Sequence, residues 1–460
     1  MAPGRLLTTS LLIAGCAPIA VAVRSGADSS AVLLLIGFAL SWLPVACITA
    51  DLAMALPVVG GPYAWGRLAF GSGWGFSWGW WRALAAVFDI ALVGAACSSL
   101  GADVGAAFGV PAVMIAPVSV VVIGACIAVW PPLVWLFAVA GAVAVPIAYV
   151  LAPPVALFES GAALSAVVCW GCGLFGGAFA MRGADVVGLV AGEMIDPRRT
   201  IVWATVVASA VVSVGGVAPA VVELGSWPNV HDVVGNLGDG PFLGAVFVGF
   251  AARAAIGVSV ASRLVGAIAE DRYLPGALAL GADSRPSRQA VTVVTVIASI
   301  ASMLGVMELT AGLTATWVAS LLALVGTIVV IRVGKPPRLG GHRQAGIAVL
   351  DGVEAVALCG AVAVVCGAGS VVEGVLGAGT RWVTVAGICL ASGPAAWVAL
   401  TILVKRGRPN RPVPLEFASR WFDPSRPGTP ELAPRVVADG LFEARARASL
   451  PVVSRRDGIR

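Results

Sequence analysis

Long apolar blocks alternate with short polar segments along most of this chain. Each block is about 20 residues long, and a helix of that length crosses a hydrocarbon core of about 30 Å. The pattern therefore predicts an all-α integral membrane protein with about 12 transmembrane helices. Their expected ranges are 6–24, 31–57, 75–100, 110–130, 133–152, 163–194, 201–224, 243–270, 289–308, 311–332, 346–369 and 381–404. Only Pro131 and Pro132 divide the fourth range from the fifth.

The composition agrees with a lipid-facing surface. Of the 460 residues, 59% are hydrophobic and 12% are charged, and the mean hydropathy is +0.96. Soluble domains carry about 25% charged residues, because their surface faces water. The 57 glycines suit close packing between membrane helices. The net charge of +5 is modest and does not indicate a nucleic-acid partner.

The distribution of the basic residues predicts the orientation. If the N-terminus is cytoplasmic, the outside loops carry little positive charge beyond Arg24 and Arg381. The inside loops then carry Arg67, Arg198, Arg199, Arg272, Arg285, Arg288, Lys335, Arg338 and Arg343. Such a bias is typical of cytoplasmic loops. We therefore expect a multi-pass protein of the plasma membrane with both termini cytoplasmic, in which residues 1–404 form the transmembrane domain and residues 405–460 a Pro- and Arg-rich tail.

The first apolar block permits two interpretations. Arg5, the apolar run that follows it and the string Ile13-Ala14-Gly15-Cys16 resemble a bacterial lipoprotein signal. The alternative is a first transmembrane helix from about Leu6 to Val23. We prefer the helix, because the following helices then fall into a known register.

Cysteine and histidine give no sign of a metal centre or an enzyme. Most of the nine cysteines lie in apolar runs, where a thiol behaves as a small hydrophobic group. Cys169 and Cys172 have the spacing of a redox or metal pair, but no second pair accompanies them in that helix. His231 and His342 both lie in predicted loops. No cluster of His, Cys or carboxylates is expected at one depth, so we predict neither a cofactor nor an enzyme.

Four motifs carry a family resemblance. The first ends the second block and reads DLAMALPVVGGPYAW from Asp51 to Trp65. Its acid, proline, two glycines (Gly60 and Gly61) and tyrosine resemble the hallmark of the amino acid/polyamine/organocation (APC) permeases. The glycines permit a tight re-entry of the chain beside a neighbouring helix.

The other three motifs follow in the order of that family. A Gly-Trp-rich start and a buried aspartate, Asp89, in the third helix are similar to the plant and protist polyamine and L-type amino acid branch. Ala191-Gly192-Glu193 followed by DPRRT resembles the exit of the sixth helix. Ser262-Arg263 followed by Leu274-Pro275 resembles the signature of the eighth helix. The resemblance spans about residues 5 to 332.

The resemblance implies a LeuT-type fold with a 5+5 inverted repeat, over about residues 6–152 and 163–332, followed by extra helices within 346–404. In that fold the first and sixth helices are broken near the midplane, and their exposed backbone holds the ligand. Here Gly15-Cys16-Ala17-Pro18 interrupts the first helix, and Gly176, Gly177 and Gly183 interrupt the sixth. The expected substrate-binding residues are Gly15, Cys16, Ala17, Pro18, Asp89, Gly177, Ala184 and Asp185.

The chain departs from the branch at several of these positions. Cys16 and Ala17 stand where the branch has two glycines, and Ala184-Asp185-Val186 replaces an aromatic residue, an aspartate and a serine. The pocket is therefore expected to be less polar and differently shaped, and the substrate of the family does not transfer directly.

Ionisable residues in apolar spans are the second indication of a site. They are Asp51, Asp89, Asp185, Glu193, Arg82, Arg182, Arg253 and Arg263. An ionised group at mid-bilayer costs a few kcal/mol, so such residues face a cavity or a partner. Asp89 and Asp185 are either counter-ions of a cationic amine, partners of Arg82 and Arg182, or helix-end residues near water. We expect Glu193 and Arg263 to hold a cytoplasmic gate in ion pairs.

The sequence therefore predicts a secondary active transporter for polyamines or amino acids, coupled to protons or working by exchange, with alternating access. Its partners would be a small amine or amino acid, protons and membrane lipid. The alternative is a degenerate, non-transporting paralogue or nutrient sensor with the same fold, because the altered first and sixth helices would also suit a lost pocket.

Overall fold

The computed structural model describes residues 9, 12–13, 45–50, 52–54, 58–100, 111–151, 183, 185–194, 199–211, 240–281, 285–333 and 379–403. Within these ranges every regular element is a helix and there is no strand. We number the helices α1 (Gly61–Phe70), α2 (Ser72–Leu100), α3 (Ala112–Val129), α4 (Leu133–Leu151), α5 (Val186–Val190), α6 (Arg199–Val211), α7 (Gly240–Glu270), α8 (Arg288–Ala301), α9 (Val306–Val333) and α10 (Gly379–Leu403). Short 3-10 turns cover Ala191–Glu193 and Gly276–Leu278, and residues 45–50 and 52–54 are also helical.

Most helix boundaries lie close to those predicted. Helices α2, α3, α4, α7 and α10 match the predicted ranges to within about three residues, and α3 and α4 separate at Pro131 and Pro132. The predicted boundary between the ninth and tenth helices was wrong by several residues. Helix α8 ends at Ala301 and α9 begins at Val306, because residues 302–305 form a turn that starts where the Ser302 N–H bonds to the carbonyl of Ala298.

Among the described residues, three helices are long and apolar enough to span a membrane. They are Phe247–Glu270, Glu308–Val330 and Gly379–Leu403. Large apolar side chains are also exposed on the outer faces of α3, α8 and α10, among them Val118, Val122, Ile297, Ile300, Ile388 and Leu403. These features are those of an all-α membrane protein. The twelve-span count and the LeuT-type repeat stay predictions.

Helices α2 and α7 form the centre of the described bundle. Helix α7 packs against α4 and α2, α9 packs against α2, and α3 packs against α8. A glycine permits the closest approach of α2 and α7: a Cβ on Gly257 would lie 2.7 Å from Cγ1 of Ile90. The contact brings the charged faces of the two helices together.

Several predicted site residues lie outside the described residues. They are Gly15, Cys16, Ala17 and Pro18 in the first predicted helix and Gly177 and Ala184 in the sixth. The predicted tail, 405–460, and the predicted helix over 346–369 also lie outside. The predictions for these positions stand as made.

Candidate functional site

One face of α2 and one face of α7 carry the site. Arg82 and Asp89 are seven residues apart on α2, so they lie on the same face two turns apart. Arg253 occupies the facing stripe of α7, together with Ile256 and Val260 at positions i+3 and i+7. Both stripes are buried, and the alanines between Arg82 and Asp89 leave room beside the charges.

A narrow cavity of about 20 Å³ lies between these faces. Among the described residues, its charged lining consists of Arg82, Asp89 and Arg253. The rest of the lining is small or apolar and comes from α2, α7, α9 and the start of α5: Ala85, Ala86, Gly183, Val186, Ile256, Gly257, Val260 and Trp317. The space itself is only large enough for water-sized groups, but its lining combines apolar residues with a few convergent polar groups, as small-molecule sites do.

Arg82 binds Asp185 at the start of α5. Nη2 of Arg82 donates to Oδ1 of Asp185 at 2.9 Å, and Nε of Arg82 donates to Oδ2. This bidentate geometry is the strong form of an arginine–carboxylate pair. Arg82 is one of the two arginines considered from the sequence as partners of the buried aspartates. The other, Arg182, lies outside the described residues, so its pairing stays a prediction.

Asp89 pairs with Arg253 on α7. Nε of Arg253 donates to Oδ2 of Asp89 at 2.8 Å. Arg253 is 3% exposed, yet its Nη1 has no hydrogen-bond partner among the described residues. A buried donor left without a partner costs free energy, so this N–H edge is suited to an acceptor that enters the cavity.

The predicted pairing of Glu193 with Arg263 is present. Nε and Nη2 of Arg263 donate to the two carboxylate oxygens of Glu193 at 2.5 and 3.0 Å. Nη1 of Arg263 donates to the carbonyl of Ser259 at 3.1 Å and to its hydroxyl. Every nitrogen of this guanidinium therefore has a partner. The ion pair connects α7 to the 3-10 turn that comes directly after α5. Its role as a gate stays a prediction.

Gly60 and Gly61 lie where α1, α5 and α7 meet. Gly60 has a φ of 71°, and a Cβ there would lie 2.7 Å from Cβ of Ala267. A Cβ on Gly61 would lie 2.4 Å from the carbonyl oxygen of Gly188. Only glycine combines this left-handed backbone with such close neighbours. The two residues therefore allow the tight approach that the sequence motif predicts.

A polar network fastens α1 to the residue that follows α7. The hydroxyl of Tyr63 and Nη1 of Arg67 both donate to Oδ2 of Asp271. Burial and the charge of Asp271 raise the pKa of Tyr63 above its ordinary value, so the hydroxyl remains protonated and able to donate. The network holds α1 against the end of α7.

Sequence analysis predicted ion pairs for Glu193 and Arg263 but did not find the partner of Asp89. Arg253 was recognised as an intramembrane charge, but its pairing with Asp89 depends on the packing of α7 against α2. Asp271 was not singled out, although it follows a helix end within reach of the tyrosine motif. Among the described residues, no three His, Cys, Asp or Glu side chains lie close enough to hold a metal ion.

Comparison with known proteins does not identify a family for this chain. No protein-family model matches the chain, and no curated protein matches it significantly. The similarity to APC permeases therefore remains a resemblance that depends on the four sequence motifs.

Proposed function

We propose that this chain is a secondary active transporter that moves a small amine or amino acid across the plasma membrane by alternating access, with both termini cytoplasmic. The observation that carries the proposal is the charged cavity between α2, α5, α7 and α9. Charges inside an apolar bundle are costly and usually mark a substrate or ion pathway. The four motifs of the APC resemblance support the same function.

The contacts around α5 suggest which part would move. The segment from Asp185 to Glu193 is tied at its start to α2 by Arg82 and at its end to α7 by Arg263. In the proposed cycle this segment moves against α2 and α7, as the resemblance implies for the sixth helix. Protons or an exchanged substrate would drive the cycle.

Uptake into proteoliposomes tests the proposal. Purified protein is assayed with labelled amines and amino acids, with and without a pH gradient. We expect uptake of at least one substrate, and Ala85→Phe, which fills the cavity, should reduce it by at least tenfold. The matched control is Val122→Phe on the exposed face of α3, which should transport like the wild type.

Other results would change the function. Substrate binding without uptake would support the non-transporting sensor. Uptake that is equal in the Ala85→Phe and Val122→Phe variants, both verified as folded by their melting curves, would contradict a route through this cavity.

A further inference from the structure

We propose that Arg253 is the carboxylate-binding residue of the cavity, so that the site takes small molecules with a carboxylate and rejects amines that lack one. The inference deepens the proposed function and rests on it for the transport step only. It is carried by one juxtaposition: an almost fully buried guanidinium borders the cavity, and its Nη1 has no partner among the described residues.

The hydrogen bonds of the three arginines that are buried in the described part of the chain single out Arg253. Arg82 donates to both carboxylate oxygens of Asp185, and Arg263 bonds to Glu193 and Ser259 through all three nitrogens. Arg253 donates to Asp89 through Nε, and its Nη1 has no partner among the described residues. Nε lies on one edge of the guanidinium, so Asp89 orients the group without occupying Nη1. A carboxylate is the partner for which a guanidinium edge has the best geometry.

The charges of the cavity favour a ligand with no net charge. Arg82 is balanced by Asp185 and Arg253 by Asp89, so the described charges around the cavity sum to zero. A polyamine would add several positive charges to this balanced, low-dielectric space, which is costly. A zwitterion brings its carboxylate to Arg253 and its own compensating ammonium. The alanine, valine and isoleucine lining suits an apolar remainder.

Equilibrium binding to the purified full-length protein tests the inference with matched ligand pairs. Each pair consists of an amino acid and the amine that remains when its carboxylate is removed: leucine and 3-methylbutylamine, phenylalanine and 2-phenylethylamine, alanine and ethylamine. We expect at least one amino acid to bind more tightly than its amine by a factor of about ten to one hundred, as for the loss of a charge-assisted hydrogen bond. Putrescine should not compete.

Two test variants and one control show whether the preference for the amino acid depends on Arg253. Arg253→Gln with Asp89→Asn removes both charges together, so no buried charge is left alone, and leucine should then bind no better than 3-methylbutylamine. The control, Arg67→Gln with Asp271→Asn, neutralises a pair that does not line the cavity and should keep the preference. Arg253→Lys keeps the charge but loses the planar fork, so its preference should fall between those of the wild type and the double variant.

The outcomes separate the inference from the proposed function. Amines that bind or are taken up as well as their amino acids would overturn the inference and leave transport standing, as would an unchanged preference in the Arg253→Gln, Asp89→Asn protein. A failure of every amino acid to bind would also overturn it. Amino acid binding without uptake would preserve the carboxylate site and contradict transport.

Discussion

Two buried arginines on α7 differ in how completely they are bonded. Arg263 contacts both oxygens of Glu193 and also Ser259. Arg253 donates to Asp89 through Nε, and its Nη1 has no partner among the described residues. The two lie ten residues apart, which is about 15 Å along a helix. Of these two arginines, Arg253 borders the cavity and Arg263 does not. The fully hydrogen-bonded Arg263–Glu193 pair fixes a contact between two elements. The Arg253–Asp89 pair leaves one N–H group of Arg253 beside the cavity, where it can donate to a ligand.

The largest expected effect is a loss of stability when Arg263, the fully hydrogen-bonded arginine, is replaced. Arg263→Gln leaves the Glu193 carboxylate in a largely buried site without its counter-ion, so we expect the free energy of unfolding to fall by about 3–5 kcal/mol. Removing both charges, with Glu193→Gln added, should recover much of that stability. Thermal unfolding in detergent measures both. A single variant as stable as the wild type would show that the Glu193–Arg263 pair does not hold α5 to α7.

A smaller loss is expected where the backbones meet beside that pair. Gly61→Ala places a Cβ 2.4 Å from the carbonyl oxygen of Gly188, and such overpacking costs about 1–3 kcal/mol. Gly244→Ala on α7 is the matched control, because a Cβ there has no neighbour within 4 Å; it should be neutral or slightly stabilising. Equal melting temperatures for the two variants would contradict the tight approach of α1 and α5.

The smallest loss is expected at Tyr63. Tyr63→Phe removes the hydroxyl that donates to Asp271 while Arg67 still pairs with that carboxylate. We expect a loss of about 0.5–1.5 kcal/mol and an unchanged preference between amino acid and amine. Asp271→Asn should cost more, since it also removes the partner of Arg67. A Tyr63→Phe protein that loses the ligand preference would mean that the cavity and this network are not separate.

Hydrophobic patterning predicted most of the long helices, whereas the partners of the charged residues were predicted only in part. Helices α2 and α7 were located from the length of their apolar runs, and Gly60 and Gly61 from the motif that contains them. The pairing of Asp89 with Arg253 could not be predicted, because it joins residues 164 positions apart and depends on which faces of α2 and α7 meet. The sequence alone also did not decide between Arg82 and Arg182 as the partner of Asp185, and the pair that the structure shows joins Asp185 to Arg82, 103 positions away.

The difference between Arg253 and Arg263 is tested most directly by ligand-induced stabilisation of two variants, each with one of the two ion pairs neutralised. Melting temperatures are measured with and without the amino acid that binds the wild type most tightly, for Arg253→Gln, Asp89→Asn and for Arg263→Gln, Glu193→Gln. At a ligand concentration of 100 times Kd, binding stabilises a folded protein by about 2.7 kcal/mol. We predict this stabilisation for the wild type and for the Arg263→Gln, Glu193→Gln protein, and its loss when Arg253 and Asp89 are neutralised. Undiminished stabilisation of the Arg253→Gln, Asp89→Asn protein would contradict the account.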